Sequence, residues 1–288
     1  MKKNSYLLAG AALVIALGLG TGTQSAAQGS DPSEDCAVCH DEVAANFAHT
    51  VHAVTDRDTP TCTTCHGNGD QHMDSGGETS LILKPEGPDL ETLCLTCHRD
   101  TRTMFSRRSV HSGAAVTCAT CHNVHTTDPL QPQMLRKTAN ELCATCHSSS
   151  AGSFNRPFGH RLDLGGIQCV SCHNPHGGAG EASLKVDRSG DVVCYSCHAE
   201  KRGPFVFPHV NGVVGNCLSC HVPHGASNPN ALTRARVDQL CLECHSPMGD
   251  TLGSQPPSFH NVNSPRYQNC TTCHVMVHGS NTSPLLLK

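Results

Sequence analysis

Apolar residues are sparse along this chain, and they do not recur at the period of a long helix or a strand. The one sustained run is Leu7 to Leu19, led by Lys2 and Lys3 and followed by small and polar residues up to "SAA" at Ser25–Ala27. A positive start, a short apolar stretch and a small-residue site predict an export leader, residues 1–27, cleaved before Gln28. The run is short for a spanning helix; an uncleaved anchor is the alternative. Farther on, apolar positions come as single turns. "DLETLC", "TANELC" and "RVDQLC" each set Leu or Val beside a cysteine and predict one helical turn leading into it. "SLILK", "QMLRK", "ASLKV" and "ALTRA" recur upstream of such turns, and Gly/Pro/Asn loops such as "HGGAGEA" and "HGASNPN" lie between. The final "SPLLLK" reads as the start of a further unit left incomplete. The pattern predicts a mostly irregular fold with short α-helices, no β-sheet core and no catalytic domain.

Composition sharpens this. With no Trp, 3% aromatics, 26 Gly and 17 Pro, the chain cannot bury enough side-chain surface to offset its conformational entropy. Something other than protein must supply the core. The formal charge of −4 becomes more negative once Lys2 and Lys3 leave with the leader. With no basic cluster and no stacking platform, nucleic-acid binding is excluded.

The missing core is identified by the cysteines. All twenty lie in ten copies of Cys-x-x-Cys-His. In chain order these are Cys36, Cys39 and His40; Cys62, Cys65 and His66; Cys94, Cys97 and His98; Cys118, Cys121 and His122; Cys143, Cys146 and His147. The second half holds Cys169, Cys172 and His173; Cys194, Cys197 and His198; Cys217, Cys220 and His221; Cys241, Cys244 and His245; Cys270, Cys273 and His274. A disulfide scaffold needs no histidine after the second cysteine. Thioredoxin-like sites come singly, and zinc ribbons carry no obligatory following histidine. Two sulfurs at this spacing reach the two vinyl groups of one porphyrin, while the adjacent histidine points at its iron. The expectation is ten covalently bound c-type haems, with zinc as the alternative. Such large apolar bodies, tied about every 26 residues, would form the core; the apo-chain is expected to be largely disordered.

Eleven histidines remain, and ten fall in a register of two motifs. They are His52, His72, His111, His125, His160, His176, His209, His224, His260 and His278, the expected second axial ligands. His49 is left over; His52 is preferred because its spacing to the next motif matches that of His260. The register divides residues 28–288 into five di-haem units at about 28–89, 90–138, 139–190, 191–236 and 237–288, read as an elongated haem chain. Whether a given histidine serves its own unit or a neighbour stays open. Iron with two histidines has no vacant position for a substrate, so the chain is expected to transfer electrons at low potential rather than catalyse. A multihaem reductase is the less favoured reading.

The ten motifs in under 300 residues, "CHAEKRGPFVFPH" at Cys197–His209 and the ending "CTTCHVMVHGSN" resemble the decahaem cytochromes of the MtrA/DmsE/PioA type over residues 28–288. The resemblance implies a periplasmic protein associated with the outer membrane. It also implies a β-barrel porin partner, an extracellular multihaem cytochrome or reductase, and periplasmic or inner-membrane cytochromes that exchange electrons with it. A free periplasmic shuttle or electron reservoir is the alternative.

Overall fold

The computed structural model describes residues 32–54, 59–101, 109–113, 116–125, 132–186, 192–209, 217–245 and 263–287. The expected leader 1–27 and His260 lie outside the described residues. Each motif is one tight turn. In nine of them the histidine N–H returns to the carbonyl of the first cysteine at 2.9–3.0 Å, and the remaining motif forms the helix Cys62–His66. Positions i, i+3 and i+4 of a helical turn share one face. Both sulfurs and the imidazole are therefore delivered together by local geometry alone.

The predicted lead-in turns form as Gly87–Cys97, Ala139–Ala144 and Val237–Cys241. Thr138 opens the second of these, its Oγ1 accepting from the Glu141 N–H at 3.4 Å and donating to the Glu141 carboxylate at 2.6 Å. The second, fourth and sixth motifs begin differently, with the residue before the first cysteine closing a reciprocal cap. Thr61 N–H donates to Thr64 Oγ1 at 3.0 Å, Thr117 N–H to Thr120 Oγ1 at 3.1 Å, and Gln168 N–H to Ser171 Oγ at 3.0 Å. Such caps satisfy donors that a one-turn helix cannot satisfy internally.

Among the described residues β pairing is confined to isolated bridges. Three of them join an even motif to a recurring leucine: His122 with Leu135, His173 with Leu184, and His221 with Leu232. The segments "QMLRK", "ASLKV" and "ALTRA" thus close the motif before them as well as leading towards the next. The C-terminal segment does the same. Met276 N–H donates to Leu286 O at 2.9 Å, and the His274 ring bonds Leu285 O at 2.6 Å. "SPLLLK" therefore closes the tenth motif.

Units meet through a second kind of joint. Phe158 bridges Ala226, Phe207 bridges Ser280, and Ser109 Oγ donates to Pro175 O at 2.9 Å. At two joints a glycine is required. Gly225 has φ +115, and a Cβ there would stand 2.4 Å from Ser153 O; Gly279 has φ +133, and its Cβ would meet the Phe205 ring at 2.3 Å.

Only Leu95, Ala139 and Ala226 are buried apolar residues among those described. Folded chains normally rest on a contiguous apolar core, and here the described residues provide none. No described helix is long and apolar enough to cross a membrane.

Candidate haem-binding sites

The chain wraps instead around a continuous cavity of about 6010 Å³, lined by all twenty cysteines and all ten motif histidines. Across it, histidine rings face one another in pairs. The centroids are 6.2 Å apart for His40 and His72, 6.0 Å for His52 and His98, and 5.8 Å for His66 and His125. His111 and His147 are at 6.1 Å, His122 and His176 at 6.0 Å, and His160 and His198 at 6.2 Å. His173 and His224 are at 6.0 Å, His209 and His245 at 6.0 Å, and His221 and His278 at 6.3 Å. Metal–imidazole bonds run about 2 Å, so two rings ligating one metal from opposite sides have centroids roughly 6 Å apart. Nine such gaps occur. The expected partner of His274, His260, is outside the described residues.

The pairing is interleaved. Histidines of the second, fourth, sixth and eighth motifs face the tail histidine of the following unit: His125, His176, His224 and His278. Those of the third, fifth, seventh and ninth face the mid-unit histidine of the preceding unit: His52, His111, His160 and His209. The first motif has no preceding unit, and His40 faces His72 of its own. His176 thus reaches back to the fourth motif, not to the sixth motif that precedes it in "CVSCHNPH". His49 does not line the cavity, whereas His52 does.

Backbone carbonyls orient many of these rings. Nδ1–H donates to the carbonyl of Leu83 from His66 (2.8 Å), of Gln133 from His122 (2.8 Å), of Ala182 from His173 (2.9 Å) and of Asn230 from His221 (2.9 Å). Among the opposite partners, His72 donates to Glu78 O at 2.9 Å, His111 to Pro175 O at 3.2 Å and His160 to Pro223 O at 3.0 Å. A ring that donates from Nδ1 presents Nε2 as its lone-pair nitrogen, the arrangement a metal needs. Burial, then the charge of the facing imidazole, pushes His52, His125, His176 and His224 below the ordinary histidine range. Neutral imidazole, the ligating form, is favoured. None of these carbonyls was legible as a functional group, although the repeated leucine segments that carry them were.

The cysteines report the order of the sites. First cysteines hydrogen-bond within consecutive odd–even motifs: Cys36 with Cys62, Cys94 with Cys118, Cys143 with Cys169, Cys194 with Cys217, and Cys241 with Cys270. Second cysteines come close across the next junction. Burial first, and then neighbouring thiols that include one from the next motif, raise Cys65 (Cys97), Cys121 (Cys146), Cys172 (Cys197) and Cys220 (Cys244). Successive motifs are therefore neighbours in chain order.

These residues fit haem. Paired sulfurs flank each ring-to-ring gap, and an apolar cavity takes the place of a core. Among the described residues no group of three His, Cys, Asp or Glu converges on a point, whereas a structural zinc needs four ligands.

A family model described as the doubled CXXCH motif matches residues 111–152, 163–203 and 209–250. The chain is 33% identical over 272 residues to the multiheme cytochrome MtrA of Shewanella baltica (strain OS185), across 86% of this chain and 78% of that protein. It is also 28% identical over 93 residues to the cytochrome c-type protein NrfB of Escherichia coli O6:H1, across 31% of this chain and 49% of that protein. These likenesses and the motifs make it a carrier of covalently bound c-type haem, an electron-transfer protein and not an enzyme. The chain belongs to the MtrA family of multihaem c-type cytochromes.

Proposed function

We propose that the protein is an exported ten-haem conductor that passes electrons along a file of bis-histidine haems. In this reading a β-barrel porin holds it at the outer membrane. The periplasmic end exchanges electrons with periplasmic or inner-membrane cytochromes, and the far end with an extracellular multihaem cytochrome or reductase. Haem supplies one-electron exchange at iron. The protein's own residues attach, ligate and space it. Each Cys pair carries one haem, each motif histidine is the proximal ligand, and the interleaved histidines, with His260 for the tenth site, are the distal ligands. The interleaved facing pairs carry this reading, because they supply two imidazoles per site and leave no position for substrate. They also lock each unit to its neighbours, so that sites stay in one file.

The barrel partner follows from physics together with the family. A chain with no described spanning helix passes charge through lipid only inside a closed polar lumen, and barrels provide one. Gentle detergent extraction of cell envelopes, with the protein followed by haem stain through size separation, tests this. Migration with an outer-membrane barrel through a salt wash is expected. Release as a small free cytochrome would establish the soluble shuttle instead.

A further inference from the structure

The proximal histidines of the even motifs and of the first, third, fifth and seventh motifs are held in different ways. In the even motifs the proximal ring donates to a carbonyl 2.6–2.9 Å away, from His66, His122, His173, His221 and His274. The proximal rings of His40, His98, His147 and His198 are exposed, and no described carbonyl accepts from them.

Three of the five acceptors are unusual. Gln133, Ala182 and Asn230 have φ of 58°, 51° and 56°, and Met134, Ser183 and Ala231 after them have 54°, 57° and 52°. Leu286, next to the acceptor Leu285, has φ 54°. Left-handed conformations crowd the Cβ of an L-residue and persist only where the surroundings over-determine them. Here two backbone bonds pin each pair to its motif. Asn174 N–H donates to Ser183 O and Lys185 N–H to Cys172 O, both at 2.9 Å. Val222 with Ala231 O and Thr233 with Cys220 O repeat this at 2.7 and 2.9 Å, and Asn123 with Met134 O and Arg136 with Cys121 O at 2.8 and 2.9 Å. A right-handed residue between the same anchors would turn its carbonyl away from the ring.

We propose that these left-handed pairs are positioning residues for the haems of the fourth, sixth and eighth motifs. Each spends backbone strain to aim one carbonyl at Nδ1 of the proximal histidine, fixing ring orientation and tautomer and raising its donor strength. A stronger donor favours ferric iron, so each pair lowers the potential of its own haem alone. The inference rests on the reading that these histidines ligate iron, and the test separates the two.

Ala182 is the place to test it, in the full-length haem-loaded protein. Ala182→Pro fixes φ near −65° and forbids the left-handed turn; Ala182→Gly permits it freely. Haem content and the ferric spin state are measured first. A high-spin signal in the unsubstituted protein would mean that the ligand reading has failed. With all haems retained and low-spin, spectropotentiometric titration of Ala182→Pro is expected to move one one-electron component upward. The size is about tenfold in its equilibrium, or about 59 mV, with Ala182→Gly unmoved. An unshifted titration in Ala182→Pro would overturn the positioning role. Should that variant not accumulate, Ala182→Ile decides: its β-branched side chain opposes the left-handed turn without removing the N–H. A smaller upward shift supports the proposal, and no shift overturns it.

Discussion

The junction between the first and second units differs from the three that follow it. At the later junctions His111 and His160 donate to Pro175 O and Pro223 O at 3.2 and 3.0 Å, and His209 bonds the backbone of Val277. The tail histidines there, His176, His224 and His278, each precede a glycine with φ of 118°, 115° or 133°. At the first junction the tail histidine, His125, precedes Thr126, and no described carbonyl accepts from His52. Yet His52 faces His98, and His66 faces His125, at 6.0 and 5.8 Å, close to the 6.0–6.3 Å of the other pairs. Facing imidazoles are thus reached with and without backbone support. Ligand spacing comes from the motif turns, while the glycine and carbonyl set how tightly units are joined. The two regions also differ in charge. Residues 28–89 hold twelve carboxylates against two basic residues, and residues 90–288 hold twelve against sixteen, so the first unit concentrates the negative potential.

The largest expected effect falls on both regions equally. Produced without haem, the chain lacks the body that fills its cavity, and only three apolar residues remain buried among those described. Far-ultraviolet circular dichroism and limited proteolysis of the apo-chain should report an unfolded protein. Cooperative thermal unfolding without haem would break the account in either region.

Next comes the glycine. Gly225→Ala places a Cβ 2.4 Å from Ser153 O at φ +115°. The backbone strain alone is about 1–3 kcal/mol, and the overlap adds to it. Denaturant titration should show the loss, with disturbance confined to the haems of the sixth and seventh motifs, which His224 and His160 serve. Wild-type stability in Gly225→Ala would remove the distinction between tight and loose junctions.

Substitution at the loose junction sharpens the comparison. His52→Ala should open one iron, seen as a single high-spin ferric component and as binding of carbon monoxide by one reduced haem. His49→Ala should change neither, because His49 does not line the cavity.

The smallest effect follows from charge. Reduction by a cationic one-electron reagent should outpace reduction by an anionic one of equal driving force at low salt. The difference should collapse once the Debye length falls to about 3 Å near 1 M salt. Replacing Glu34, Asp35, Asp41 and Glu42 by amides should diminish it. An unchanged ratio would show that the first unit does not dominate the field.

Much of this organisation was readable in the chain. Ten motif turns follow from i, i+3, i+4 geometry, and ten histidines stand in a two-motif register, so attachment and ligand candidates could be named residue by residue. Which histidine faces which could not. His176 lies three positions from His173 yet faces His122, because pairing is set by how units stack and not by local spacing. The orienting groups were hidden for another reason. They are backbone carbonyls, and those of Gln133, Ala182 and Asn230 belong to residues whose side chains differ while their conformation recurs. Similarly, the leucines of "SPLLLK" resemble those of earlier units because they do the same work for the motif before them, which repetition alone does not reveal.

The central claim is that ligation runs between units. An experimental structure of the haem-loaded protein, resolved well enough to trace each iron to its two nitrogens, tests it most directly. The account predicts one iron between His122 and His176 and another between His173 and His224, repeating along a file in chain order. Iron held between His122 and His125, or between His173 and His176, would contradict it.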